Sequence, residues 1–105
     1  LLIAICQNLI DNAIKYSKNK ETPLVNMSII SNSGGLIFKI EDNGIGIAPQ
    51  YHGKIFEMFF RATEASSGAG LGLYIVSSAV NKLGGTISLE STPGIGSTFI
   101  VNLPH

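Results

Sequence analysis

From Leu1 to Ser17 the apolar residues recur with a helical period. Leu2, Ile3, Leu9, Ile10 and Ile14 gather on one side of the predicted helix. Asn8, Asn12 and Lys15, spaced i, i+4 and i+7, share an arc of roughly 60° on the other, at about 100° per residue. Ser17, Asn19 and Pro23 close the helix. Next, Val25, Met27 and Ile29 alternate with Asn26 and Ser28, and Leu36, Phe38 and Ile40 repeat that period beyond the turn Asn32-Ser33-Gly34-Gly35, predicting a β-hairpin. A short helix is expected over 51–60, with Ile55, Phe56, Phe59 and Phe60 on its apolar side. Residues 62–69 have no periodicity. Helical character returns over about 71–83, with Leu73, Val76, Val80 and Leu83 on one side, and Gly84-Gly85 ends it. Two last strands carry Ile87 and Leu89, then Phe99, Val101 and Leu103, joined through Pro93-Gly94.

Helices alternating with hairpins predict an α/β (α+β) two-layer sandwich, with a mixed, largely antiparallel sheet and helices on one face. At 105 residues the chain is one expected domain, 1–105. Leu1 to Cys6 is continuously apolar with no cap before it, so the chain is expected to start inside a helix and to be a fragment of something longer.

Seven basic and seven acidic residues cancel, which argues against a broad basic field for nucleic acid or an anionic membrane. Any phosphate site must therefore be local. The lone Cys6 excludes an internal disulfide and a cysteine-rich metal site, and its apolar helix predicts a reduced, buried thiol. No apolar run has membrane-spanning length and no secretory signal pattern opens the chain, so the expected compartment is intracellular.

Three polar segments carry candidate chemistry. A solvent-facing stripe would explain Asn8, Asn12 and Lys15 as a plain amphipathic helix. Two amides beside an amine also suit a hard cation and phosphate, since amide oxygens can ligate Mg²⁺ and Lys15 offers a point charge. Asp42-Asn43-Gly44-Ile45-Gly46 would serve equally as an acidic turn. A fixed carboxylate there could accept a hydrogen bond from adenine's exocyclic amine and repel guanine's carbonyl, with Gly44 and Gly46 letting backbone approach the flat base. Gly68-Ala69-Gly70-Leu71-Gly72-Leu73 opens a helix whose free amides suit anionic phosphates. Its context excludes the dinucleotide fingerprint, and the chain lacks the Gly-Lys-Ser/Thr of a P-loop.

Asn8 to Tyr16, Asp42 to Gly46, Ile55 to Arg61 and Gly68 to Leu73 resemble, in this order, the asparagine box, first glycine box, phenylalanine box and second glycine box of sensor histidine kinase catalytic domains. Gly94-Ile95-Gly96-Ser97-Thr98-Phe99 resembles their closing glycine-threonine segment. The resemblance implies the Bergerat fold and an ATP-binding catalytic domain. Such a domain transfers the γ-phosphoryl group to a histidine on a separate dimerisation domain of the same kinase, which serves a response regulator in turn. It implies ATP and Mg²⁺ as cofactors, no nucleic-acid or membrane partner for this domain, and a cytoplasmic location even where the full-length kinase is membrane-anchored.

Residue by residue, the resemblance gives Asn12 the metal, Asn8 a place near the same phosphates, Lys15 a phosphate contact and Tyr16 a contact with the nucleotide. It gives Asp42 the adenine amine, with Thr98 supporting that contact through water, and Arg61 the γ-phosphate. Gly44, Gly46, Gly68, Gly70, Leu71 and Gly72 complete the nucleotide-binding set, and residues 61–69 are expected to form a mobile lid. Catalysis falls to Asn8, Asn12, Lys15 and Arg61.

Family acceptor histidines precede an acidic residue, whereas His52 precedes Gly53 and His105 is the last residue, so the acceptor is expected elsewhere. The alternatives are a clamp ATPase of the same fold, an anti-sigma serine kinase and a catalytically silent nucleotide-binding module. Clamp ATPases resemble a pattern with glutamate where Asn8 stands, and an amide cannot take a proton from water at neutral pH.

Overall fold

The computed structural model describes residues 1–17, 20–57 and 72–104. In chain order it contains α1 (Leu2–Ser17), β1 (Val25–Asn32), β2 (Gly35–Asp42), a 3-10 turn at Pro49–Tyr51, α2 (Gly72–Lys82), β3 (Thr86–Thr92) and β4 (Gly96–Leu103). The strands form one sheet in the order β1-β2-β4-β3, and every pairing is antiparallel. The two-layer α+β arrangement is as expected. The mixed character is not: among the described residues no strands run parallel.

Register decides which residues the helices cover. Phe38 pairs with Val101 and Ile40 with Phe99, while Ile87 and Leu89 of β3 pair with the same Val101 and Phe99. Partners in register share a face, so these residues form one apolar surface. Ile5, Leu9 and Ala13 of α1 and Val76, Ala79 and Val80 of α2 close over it. The other face carries exposed Lys39, Glu41, Glu90 and Asn102. Full burial of side chains such as Phe38 and Phe99 is worth roughly 1.5–3 kcal/mol each.

β1 departs from its alternation. Met27 and Ile29 point to the helix side by register, opposite Ile40 and Phe38, yet both are exposed. β1 is an edge strand and α1 lies mainly over β2, so beyond Val25 β1 is left largely uncovered by the described residues.

The helix expected over 51–60 is corrected within its described part. Up to residue 57 the chain makes the 3-10 turn at Pro49–Tyr51 and then further turns. Pro49 starts the segment, but Gly53 sits where helix continuation would need a better former, at about 1 kcal/mol relative to alanine. Ile55 is still buried, and Phe56 meets Phe99 edge-on, ring centroids 6.2 Å apart. Phe59 and Phe60 lie outside the described residues. At the end of α2, Gly84 takes φ +75°, its N–H donates to the Asn81 carbonyl, and the Gly85 N–H donates to the Val80 carbonyl. That pair of bonds is the Schellman stop, which leaves Leu83 beyond the helix and more exposed than its apolar spacing suggests.

Candidate functional site

Asp42 ends β2 in step with Phe38 and Ile40, so its side chain turns to the helix-covered side and is buried. The Gly44 N–H donates to Asp42 Oδ1 at 2.8 Å, and the Ser97 backbone N–H donates to the same carboxylate. Burial pushes the Asp42 carboxyl above its ordinary value. The two N–H groups oppose that shift, and Glu41 adds to it slightly. The result is a fixed, poorly hydrated acceptor at the rim of the core.

The glycine segment after Asp42 is clamped from two sides. On one, the Ile45 N–H donates to the Tyr16 carbonyl at the end of α1, at 3.2 Å. On the other, the Gly94 N–H donates to the Ile45 carbonyl at 2.8 Å, and a Cβ on Gly46 (φ +72°) would come 2.2 Å from the Thr92 carbonyl oxygen. Asn43 secures the approach: its Oδ1 accepts from the Leu24 N–H and its Nδ2 donates to the Thr22 carbonyl. Further on, the Ile47 N–H donates to Ser91 Oγ at 2.7 Å and the Ile47 carbonyl accepts from His52 Nε2 at 2.8 Å. A carbonyl only accepts, so the His52 proton is on Nε2. His52 is half-buried and braces the loop.

Along α1, Asn8, Asn12, Lys15 and Tyr16 are all half-buried. The Asn8 Nδ2 donates to the Ala4 carbonyl at 2.7 Å, which turns Oδ1 outward. A Cβ on Gly72, at the start of α2, would lie 3.4 Å from that Oδ1. The asparagine stripe therefore borders the first turn of α2. Lys15 Nζ stands 5.4 Å from the centre of the Tyr16 ring.

Asn8, Tyr16, Asp42, Gly44, Gly46 and Gly72 thus come together through α1, the glycine segment and α2. Thr98 does not. It pairs with Glu41 and Glu90 on the face away from the helices, whereas Ser97 pairs with Asp42. Ser97 is buried, and its Oγ lies 2.8 Å from Ser91 Oγ. The residue beside the carboxylate is Ser97, and the position given to Thr98 is corrected accordingly. The signal was available in the strand period: if Phe99, Val101 and Leu103 face the core, so does 97. Arg61, Gly68, Gly70, Leu71 and the lid expected over 61–69 lie outside the described residues.

No group of three or more histidine, cysteine, aspartate or glutamate side chains suited to a metal occurs among the described residues. A cation here would rely on amide oxygens together with ligands brought by a bound molecule, which fits Mg²⁺ carried on phosphates. No helix among those residues is long and apolar enough to cross a membrane.

The family model for histidine kinase-, DNA gyrase B- and HSP90-like ATPases matches residues 1–105, and the chain belongs to that family. Among curated relatives it is 42% identical over 108 residues to the sensor-like histidine kinase SenX3 of Mycobacterium tuberculosis, covering 99% of this chain and 26% of that protein. It is 39% identical over 101 residues to the sensor protein RprX of Bacteroides fragilis, covering 92% of this chain and 20% of that protein. The chain therefore spans about a quarter or less of the length of these relatives. Among solved structures, the mycobacterial sensor histidine kinase MprB matches with a TM-score of 0.84 at 33% identity, over 96% of this chain and 70% of that one. Full-length ShkA in complex with AMPPNP matches at 0.80 and 34%, over 98% of this chain and 21% of that one.

Proposed function

We propose that this chain is the ATP-binding catalytic domain of a two-component sensor histidine kinase, one domain of a longer cytoplasmic or membrane-anchored protein. It binds ATP with Mg²⁺ and passes the γ-phosphoryl group to a histidine on the separate dimerisation domain, from which a response regulator is supplied. The observation that carries this reading is the buried Asp42 carboxylate, held by two backbone N–H groups and joined through Ile45 and Tyr16 to the asparagine helix.

In this reading Asp42 accepts a hydrogen bond from the adenine amine, and a guanine carbonyl at the same place meets repulsion between acceptors. Asn12 holds Mg²⁺, with Asn8 Oδ1 beside the same phosphates. When bound there, Mg²⁺ would offset negative charge on the phosphate oxygens. Lys15 adds a point charge, Tyr16 lies against the nucleotide, and Arg61 with the Gly68, Gly70, Leu71 and Gly72 backbone surrounds the phosphate end. An imidazole nitrogen of the acceptor histidine attacks the γ-phosphorus, the bond to the β–γ bridging oxygen breaks, and ADP leaves. The chain itself orients and stabilises, and the nucleophile is brought to it. Water is a poor competitor because Asn8 offers an amide where a base would be needed.

The test uses γ-labelled ATP and Mg²⁺ with the chain alone and with the histidine-bearing domain of its kinase. The expected result is acid-labile label on that domain and very slow phosphate release by the chain alone. Rapid release by the contaminant-free chain would contradict the kinase reading and favour a clamp ATPase. Acid-stable label on a serine would favour a serine kinase, and no nucleotide binding a silent module.

A further inference from the structure

Ser91, near the end of β3, holds three partners on one oxygen. The Ile47 N–H donates to its Oγ at 2.7 Å, the Gly96 carbonyl oxygen lies 3.0 Å away, and Ser97 Oγ lies 2.8 Å away. A hydroxyl has one proton and two lone pairs. Ile47 occupies one lone pair, and the Gly96 oxygen can only accept. If Ser91 gives its proton to Gly96, Ser97 must donate to the second lone pair, and all three contacts are made together. If Ser91 instead donates to Ser97, the Gly96 contact is lost. The first arrangement satisfies more groups at a site that is largely withdrawn from water.

That arrangement has a chemical consequence one residue away. Ser97 stands directly across from Asp42 in the β2–β4 pairing, on the same face, where paired Cβ atoms are typically about 4.5–5.5 Å apart. With its proton committed to Ser91, Ser97 has only lone pairs left for the Asp42 side.

We propose that Ser91 is a positioning residue for base recognition: it fixes Ser97 as an acceptor beside the Asp42 carboxylate and pins the glycine segment at Ile47. The proposal rests on the ATP-binding reading above and deepens it. This end of the pocket then accepts hydrogens and offers none. An exocyclic amine suits two neighbouring acceptors, while a carbonyl at the same place is repelled by both. Ser91 contacts neither base nor phosphate and acts through Ser97 and Ile47.

The experiment measures ATP and GTP dissociation constants for the wild type, Ser91→Ala and Ser91→Thr. In Ser91→Ala the Ser97 proton is released to turn towards the base, and the ATP-over-GTP preference should shrink roughly three- to tenfold. Ser91→Thr keeps the hydroxyl and should restore the preference even where its methyl lowers the melting temperature. A hydroxyl that only held the sheet end together would weaken both nucleotides by one factor. An unchanged ratio in Ser91→Ala therefore overturns the proposal while leaving the ATP-binding reading standing. Should Ser91→Ala fail to fold, Ser91→Cys, whose thiol is a weak donor and acceptor, reads the same ratio. A wild type that binds neither nucleotide, or both equally, overturns this proposal and the base-reading role of Asp42 together.

Discussion

Tyr16 and Ile45 are joined across the two halves of the site: the Ile45 N–H donates to the Tyr16 carbonyl at 3.2 Å, and a Cβ on Gly44 would come within 2.4 Å of that same oxygen. The asparagine helix and the glycine segment therefore touch backbone to backbone, with no room for a side chain between them.

Gly44→Ala follows directly. The added carbon would also lie 2.8 Å from Asp42 Oδ1, so it disturbs the clamp and the carboxylate together. We expect destabilisation of about 1–3 kcal/mol in urea denaturation, with loss of ATP affinity in the folded fraction. Gly53→Ala is the control, because nothing lies within 4 Å of a Cβ there. It should change stability by no more than about 0.5 kcal/mol and leave binding alone.

Asp42 ties binding and stability to pH with opposite signs. Its carboxyl is raised above the ordinary 3.8, chiefly by burial. The ionised form is the acceptor, so ATP affinity should fall as pH drops through the raised value. Comparison with Asp42→Asn cancels the nucleotide's own titration. For folding the sign reverses: a raised carboxyl favours the protonated folded state, so that contribution is complete below the unfolded value and is lost as pH rises through the folded one. Asp42→Asn should therefore gain stability relative to wild type between acid and neutral pH, seen as diverging urea midpoints.

The metal assignment is tested by the Mg²⁺ dependence of ATP binding. Chelating Mg²⁺ should weaken binding by the wild type. Asn12→Ala should bind MgATP roughly three- to tenfold more weakly and lose most of the response to chelation. Equal Mg²⁺ dependence in both would move the metal away from Asn12.

Phe56 and Phe99 anchor the segment after the glycine loop onto the core, meeting edge-on at 77°. Phe99 is fully buried and Phe56 half-buried, so Phe99→Ala should cost about 3–5 kcal/mol and Phe56→Ala less. The double variant should fall short of additivity by roughly 0.5–1.5 kcal/mol in denaturant melts.

Much of this was legible in the sequence, for identifiable reasons. The helical period around Leu9 identifies α1 as a helix but misplaces its buried side: Leu2, Ile3 and Ile14 are exposed, and the buried stripe is Ile5, Leu9, Ala13 and Ser17, with the half-buried Asn8 and Asn12 along its edge. The period of two through Phe38 and Ile40 carries Asp42 to the core face. Where reading failed, either a longer-range contact decided the outcome or a local pattern was not followed far enough. Met27 and Ile29 alternate like buried residues, but burial depends on what lies above an edge strand, which spacing cannot tell. The apolar spacing of 51–60 suggests a helix, yet up to residue 57 Gly53 and the tertiary anchoring of Ile55 and Phe56 favour turns. The motif resemblance assigns the place beside Asp42 to Thr98. The alternation running back from Phe99 assigns that place to Ser97, and the same alternation from Ile87 and Leu89 brings Ser91 beside it. His52 acquires its role through Ile47, a contact no spacing encodes.

The central claim is that Asp42 reads adenine, and titration calorimetry of ATP and GTP against the wild type and Asp42→Asn tests it most directly. The account predicts clear preference for ATP in the wild type, and an affinity loss in Asp42→Asn of about 1–3 kcal/mol that falls on ATP rather than GTP. Equal affinity for the two nucleotides, or an Asp42→Asn variant that binds ATP as tightly as the wild type, would contradict it.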